Sequence, residues 1–199
     1  MAYNNFTLTK ALSDLNLQNE DADLFSSVDP HPLPAPLLET LEAGRTLALA
    51  INTEKAKSEF IIAPLLLYVK GALKNQISLF SGVDLNVDAE RGLVGICDFI
   101  ISRAKSQHVL TAPLIAIVES KNDNIRDGLG QCIAEMYAAQ TYNRIHSPEI
   151  ERVYGIVTTG GAWKFLKLEG NLVTFDLPEY YIDTPQTIVG IILHIIQRG

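Results

Sequence analysis

Glu119 and Lys121 close an apolar run at residues 115–118, and a second carboxylate, Asp98, interrupts the apolar stretch "GICDFII" upstream of them. Side chains alternate along a strand, so Glu119 and Lys121 point the same way, roughly 6–7 Å apart. On its own strand Asp98 shares a face with Ile96 and Ile100, while Cys97, Phe99 and Ile101 take the other. A carboxylate among isoleucines costs several kcal/mol unless it is paired, protonated or metal-bound. Neighbouring strands would bring Asp98, Glu119 and Lys121 to one patch, with two acidic oxygen donors beside an amine. Mg²⁺ suits such a patch because it needs only one or two protein carboxylates and keeps several waters. Two plainer readings compete. One is an exposed Glu-x-Lys pair at a strand end, worth about 0–1 kcal/mol; the other is a buried Asp98–Lys121 salt bridge without metal.

Strand patterns are legible at 77–88, 92–102 and 113–121, the first two joined by the short connection at residues 89–92. A helix at 125–145 follows, with Asp123 or Asn124 as its cap, and then strands "RVYGIVTT", "WKFLKL" and "LVTFDL", the first two flanking Gly160-Gly161. Two helical segments precede the strands. "LLETLEAGRTLALAI" is the first, and "TEKAKSEFIIAPLLLYVKGAL", capped by Thr53 and kinked by Pro64, is the second, with a turn expected at Lys74-Asn75. A terminal helix is expected after Asp183-Thr184-Pro185. This order predicts an α/β sheet covered by helices. Prolines at 30, 32, 34 and 36 predict an extended segment, so residues 1–36 read as an N-terminal arm with one short amphipathic helix, and 37–199 as the domain. The apolar face of that helix, Phe6, Leu8, Leu12 and Leu15, must be covered by its own domain or by a second protomer; the expectation is a homodimer.

On the helix after "VESK", Gly128, Gln131 and Glu135 fall on one flank of the apolar stripe formed by Ile125, Leu129, Cys132, Ile133 and Met136. Gly128 and Gly130 either admit a ligand close to the first turns or ease packing. From about Glu54 to Lys167 these features resemble the PD-(D/E)XK, or restriction endonuclease-like, nuclease superfamily. The resemblance rests on an acidic helix before "APLL", an Asp in the second hairpin strand, "VESK" in the next, "GLGQCIAEMYAAQ" in the following helix and "VTTGGAWKFLKL" as a Gly-Trp hairpin. Uncharacterised cyanobacterial members are similar over most of the chain. The resemblance implies a mixed central sheet flanked by helices and a metal-dependent phosphodiester hydrolase, an endonuclease acting on nucleic acid, with DNA the expected substrate. It implies that Asp98, Glu119 and the carbonyl of Ser120 hold Mg²⁺, with Mn²⁺ as a substitute. Lys121 would orient or activate water, and Gln131 would position substrate or Lys121. The helical acidic residue would be Glu59, with Glu54 as the rival. Cys97 stands where the family name has proline.

The 199 residues, 47% hydrophobic and 20% charged, suffice for one well-filled core. The apolar stretches at 60–69 and 188–196 are too short for a membrane span, and "MAYNNFTLTK" lacks the pattern of a secretory signal, so a cytoplasmic protein with Cys97 and Cys132 as buried thiols is expected. The four histidines have no zinc-site spacing. A net charge of −7 argues against a strongly basic nucleic-acid surface. It favours the alternative of a catalytically silent copy of the fold serving as an assembly or interaction subunit, whereas the complete Asp, Glu-x-Lys and Gln set favours the nuclease.

Overall fold

The computed structural model describes residues 2–74 and 76–198. It is an α/β fold in which a mixed eight-stranded sheet is covered by helices on both faces. In chain order come a 3₁₀ turn (Tyr3–Asn5), α1 (Leu8–Asp14), β1 (Gln18–Ala22), α2 (Ala35–Ile51), α3 (Glu54–Lys57), a π-helical segment (Ser58–Ile62) and α4 (Ala63–Ala72). Then follow β2 (Ser78–Asp84), β3 (Ile96–Ser102), β4 (Leu114–Ser120), α5 (Ile125–His146), β5 (Arg152–Thr158), β6 (Ala162–Glu169), β7 (Leu172–Asp176), β8 (Tyr180–Tyr181) and α6 (Pro185–Arg198). The strand order is β1-β7-β6-β5-β4-β3-β2, with β8 on β6. β4 runs parallel to β5 and β1 parallel to β7; the other pairs are antiparallel.

All seven residues of β4 are buried, as a continuous apolar run between two helical layers requires. One face carries Leu41 and Ala48 of α2, Leu65, Leu66 and Val69 of α4, and the isoleucines of α6. The other carries Leu129, Cys132, Ile133 and Met136 of α5. Both cysteines are free and buried.

The helix preceding the sheet is continuous but changes type. Pro64 lacks the amide that would bond the Phe60 carbonyl in α register, and the chain widens into the π turn over Ser58–Ile62 before α4 resumes. Gly44 of α2 lies against that carbonyl, so close that a Cβ there would sit 2.1 Å from the Phe60 oxygen. Of the turn expected at Lys74-Asn75, Lys74 has the positive φ of a turn residue, and Asn75 lies outside the described residues.

The first 36 residues, set apart as an arm in the sequence, belong to the same sheet and core. Tyr3, Phe6, Ala11, Leu15 and Leu17 are buried with the α5 stripe. β1 adds to the sheet edge with Gln18 opposite Leu172 and Ala22 opposite Asp176. The short helix therefore docks on its own chain, and the face that motivated a homodimer is already covered. Gly130 makes this docking possible, because the backbone at Phe6–Leu8 passes within 2.3–2.5 Å of where its Cβ would be. The proline-rich segment is extended as expected, yet His31 donates its amide to the Gln186 carbonyl of α6 at 2.9 Å.

Candidate functional site

β3 and β4 pair with Phe99 opposite Val118 and Ile100 opposite Ile117, and continuing that register brings Asp98 level with Glu119. On the other side, β2 pairs Ser81 with Phe99 and Val83 with Cys97, and the left-handed Gly82 (φ +63°) interrupts the ladder beside Asp98. The end of β4 thus opens into a cleft of about 270 Å³ lined by Glu54, Lys55, Ser58, Glu59, Ser81, Asp98 and Ser120.

Asp98 is half-buried, with Ile96 beside it 60% exposed, so it sits at the mouth of the cleft and not in an isoleucine pocket. Its Oδ2 accepts two bonds from Ser120, from the amide at 2.8 Å and from the hydroxyl at 2.5 Å. Of the pair, the buried carboxylate is Glu119, at 1% exposure. Lys121 Nζ pairs with Glu119 Oε1 and donates to Gln131 Oε1 at 3.3 Å. The ion pair is therefore Glu119–Lys121, and the direct Asp98–Lys121 bridge considered from the sequence is not formed. Glu119 Oε2 is buried without a hydrogen-bond partner.

Burial, and then the nearby Asp98 charge, push the Glu119 carboxyl up to about 8 in spite of Lys121. Burial works against the charge of Lys121, but Glu119, Glu54 and Asp98 outweigh it and hold the ammonium above its ordinary value. Glu54 is felt by both groups. Glu59 lines the same cleft and is tied to Lys55 in an exposed i,i+4 ion pair at 2.9 Å. Of the two helical candidates, Glu54 is thus the one whose charge reaches the Glu119–Lys121 pair.

Local packing explains why these side chains hold their places. The Lys121 amide donates to the Thr158 carbonyl at 2.8 Å, continuing the β4–β5 ladder past the strand end. Gly128 of α5 faces the Lys121 stem, with a Cβ there only 3.0 Å from Lys121 Cγ. The two glycines of "GLG" therefore serve packing, Gly128 toward Val157 and Lys121 and Gly130 toward the N-terminal segment. In the β5–β6 turn Trp163 donates to the Gly160 carbonyl at 3.1 Å, and Gly160 (φ +78°) lies against Ile61 and Lys57.

Sequence reasoning missed Lys57 altogether and the depth of Glu135. Lys57 is only 6% exposed; its Nζ donates to the backbone carbonyl of Asn122 and, at 3.0 Å, to Asn122 Oδ1, which pins the chain just past Lys121. In the sequence it is one lysine of a charged run, with no sign that it points inward. Glu135 is fully buried, and its Oε1 accepts from Gln131 Nε2 at 3.0 Å. Burial, then the Glu119 charge, push it well above the usual carboxylate range. Its spacing from Gln131 placed it on the same flank, which was the available signal, but not its depth.

Among the described residues no group of three or more His, Cys, Asp or Glu side chains is arranged to hold a metal ion. The donors that remain fit a cation served by one or two carboxylates and water: the unpartnered Oε2 of Glu119, and Asp98, which gives only Oδ2 to Ser120. No helix among the described residues is long and apolar enough to cross a membrane. A scan against protein-family models and a search of curated proteins return no match.

Proposed function

We propose that this chain is a Mg²⁺-dependent nuclease of restriction endonuclease-like fold that hydrolyses phosphodiester bonds, with DNA as substrate. The observation that carries the reading is the meeting of Asp98, Glu119 and Lys121 at the ends of two adjacent strands, beside a polar cleft, with one Glu119 oxygen buried and unpartnered. The helix, three strands, helix and strand on which the sequence resemblance rests occur in that order, which supports it further.

Asp98 and Glu119 would hold the cation, helped by the carbonyl of Ser120, which follows Glu119 in sequence. A bound Mg²⁺ would lower the pKa of a coordinated water and offset negative charge on the phosphate. Ser120 fixes the Asp98 carboxylate through two hydrogen bonds, so the direction of that group is set before any ligand arrives. Glu119 must give up its proton to take a cation, and burial makes that proton hard to lose at neutral pH. The charges of Glu119, Glu54 and Asp98 favour the ammonium form of Lys121 against burial, and that ammonium would face the charge that develops on a phosphate. Gln131 restrains Lys121 from the α5 side.

A net charge of −7 favours a second reading, a catalytically silent fold acting as an assembly subunit. Nicking of supercoiled DNA, and cleavage of single-stranded DNA and RNA, in Mg²⁺ or Mn²⁺ separates the two. Asp98→Ala, Glu119→Ala and Lys121→Ala are each expected to lower cleavage by about 10² or more, and to do so non-additively, because they serve one site. A Lys121→Ala protein that cuts at the wild-type rate removes the assignment. Titration calorimetry with Mg²⁺ that shows the same heats for wild type and Glu119→Ala favours the silent reading.

A further inference from the structure

Glu135 sits in the core of α5 at 0% exposure, one oxygen bonded only to Gln131 and the other, Oε2, without a partner. A carboxyl in such a place is more costly than a leucine of similar size would be. Its neighbours Cys132 and Met136 belong to an apolar cluster that would accept one. What the carboxyl does supply is a direction. A primary amide has a donor end and an acceptor end, and Gln131 gives its donor end, Nε2, to Glu135 Oε1. With Nε2 committed to Glu135, the Gln131 carbonyl oxygen faces Lys121 Nζ at 3.3 Å. The reversed amide would set its NH₂ against the Lys121 ammonium, a donor facing a donor, so the observed orientation is the one that serves Glu135 and Lys121 together.

We propose that Glu135 is a positioning residue that anchors the Gln131 amide by its NH₂ end and, through it, holds the Lys121 ammonium in place beside Glu119. The chain of contacts is Glu135 to Gln131 to Lys121 to Glu119, and it joins the core of α5 to the end of β4. The strong upward push on Glu135 agrees with this role, since a neutral carboxyl still offers its carbonyl oxygen to the Gln131 amide. The catalytic consequence rests on the nuclease reading above; the orientation of Gln131 does not.

The test compares Glu135→Leu with Glu135→Gln in the full chain. Glu135→Gln keeps a carbonyl oxygen for Gln131, and Glu135→Leu removes it while filling the space. In ¹⁵N-labelled protein the Gln131 side-chain NH₂ is expected to be shifted and protected from exchange in wild type and Glu135→Gln, and to move toward free-glutamine values in Glu135→Leu. Metal-dependent cleavage by Glu135→Leu is expected to fall roughly tenfold or more in kcat with KM within about twofold, and Glu135→Gln to restore it to within about threefold. The melting temperature of Glu135→Leu should equal or exceed that of wild type, which a residue serving stability alone would not allow. Identical Gln131 signals in wild type and Glu135→Leu overturn the proposal, as does wild-type kcat in Glu135→Leu. If Glu135→Leu fails to fold, an unprotected Gln131 amide in wild type overturns it. A wild type that cuts neither DNA nor RNA with Mg²⁺ or Mn²⁺ sinks the nuclease reading, while the Gln131 signals still decide the role of Glu135.

Discussion

At the scale of single residues, the molecule concentrates its electrostatic cost on Glu119 and Glu135. Glu119 loses its proton near 4.5 in the unfolded chain and near 8 in the folded one. Within that window the folded state binds a proton that the unfolded state does not, so the free energy of unfolding must fall as pH rises. Glu135, shifted the same way, adds to the slope. The metal-free protein is therefore expected to melt at a lower temperature at pH 8 than at pH 5, and Glu119→Gln should remove much of the difference. Melts that rise from pH 5 to pH 8 would contradict the burial of an ionisable Glu119. If Glu119 takes the proposed cation, the same proton competes with it, so any stabilisation by millimolar Mg²⁺ in thermal melts should grow with pH across the window.

The elements make their own demands, and the glycines separate them. Gly71, near the end of α4, has nothing within 4 Å of an added Cβ, so Gly71→Ala should stabilise the protein by about 0.5–1 kcal/mol through helix propensity. Gly44 and Gly130 face backbone at 2.1 Å and 2.3 Å, and backbone cannot step aside as a side chain can. Gly44→Ala should force α2 off the π turn, and Gly130→Ala should push the Phe6–Leu8 chain off α5, each costing about 1–3 kcal/mol. Denaturant melts of the three variants give the ordering, and hydrogen exchange should show α1 loosened only in Gly130→Ala. The strands β2 to β7 were legible because their apolar runs are bounded by turn residues. β1 was not, since four of its five residues are exposed and it is held by its ladder to β7. No side-chain pattern announces a strand of that kind.

For the whole molecule, the position of residues 1–36 decides what a truncation does. A chain that starts at Leu37 lacks Tyr3, Phe6, Ala11, Leu15 and Leu17 from the core around α5, and it exposes the edge of β7. It is expected to lose most of its cooperative thermal transition, where a detachable arm would leave the melt unchanged. Charge acts at this scale too. Near the cleft, Lys55 is paired with Glu59, Lys57 with Asn122 and Asp123, and Lys121 with Glu119. Few cations remain near the cleft among the described residues, so any DNA affinity should show a shallow salt dependence, with a log–log slope no steeper than about −3. A slope near −6 would require a basic surface that one acidic chain does not provide.

Which polar side chains share a face was readable from the chain alone, because alternation in a strand and 100° steps in a helix are fixed by backbone geometry. Those rules were enough to group Asp98, Glu119, Lys121 and Gln131. Depth, pairing and partners were not readable, since they depend on what packs above each face. The tertiary structure put Glu119 rather than Asp98 in the interior, gave Asp98 to Ser120 and Lys121 to Glu119, and brought the Glu54 charge to bear on that pair. It buried Lys57 against the loop after β4 and Glu135 against Gln131. It also drew the N-terminal segment into the sheet, because an apolar helix face of its size is covered by the nearest complementary surface, here the α5 stripe opened by Gly130.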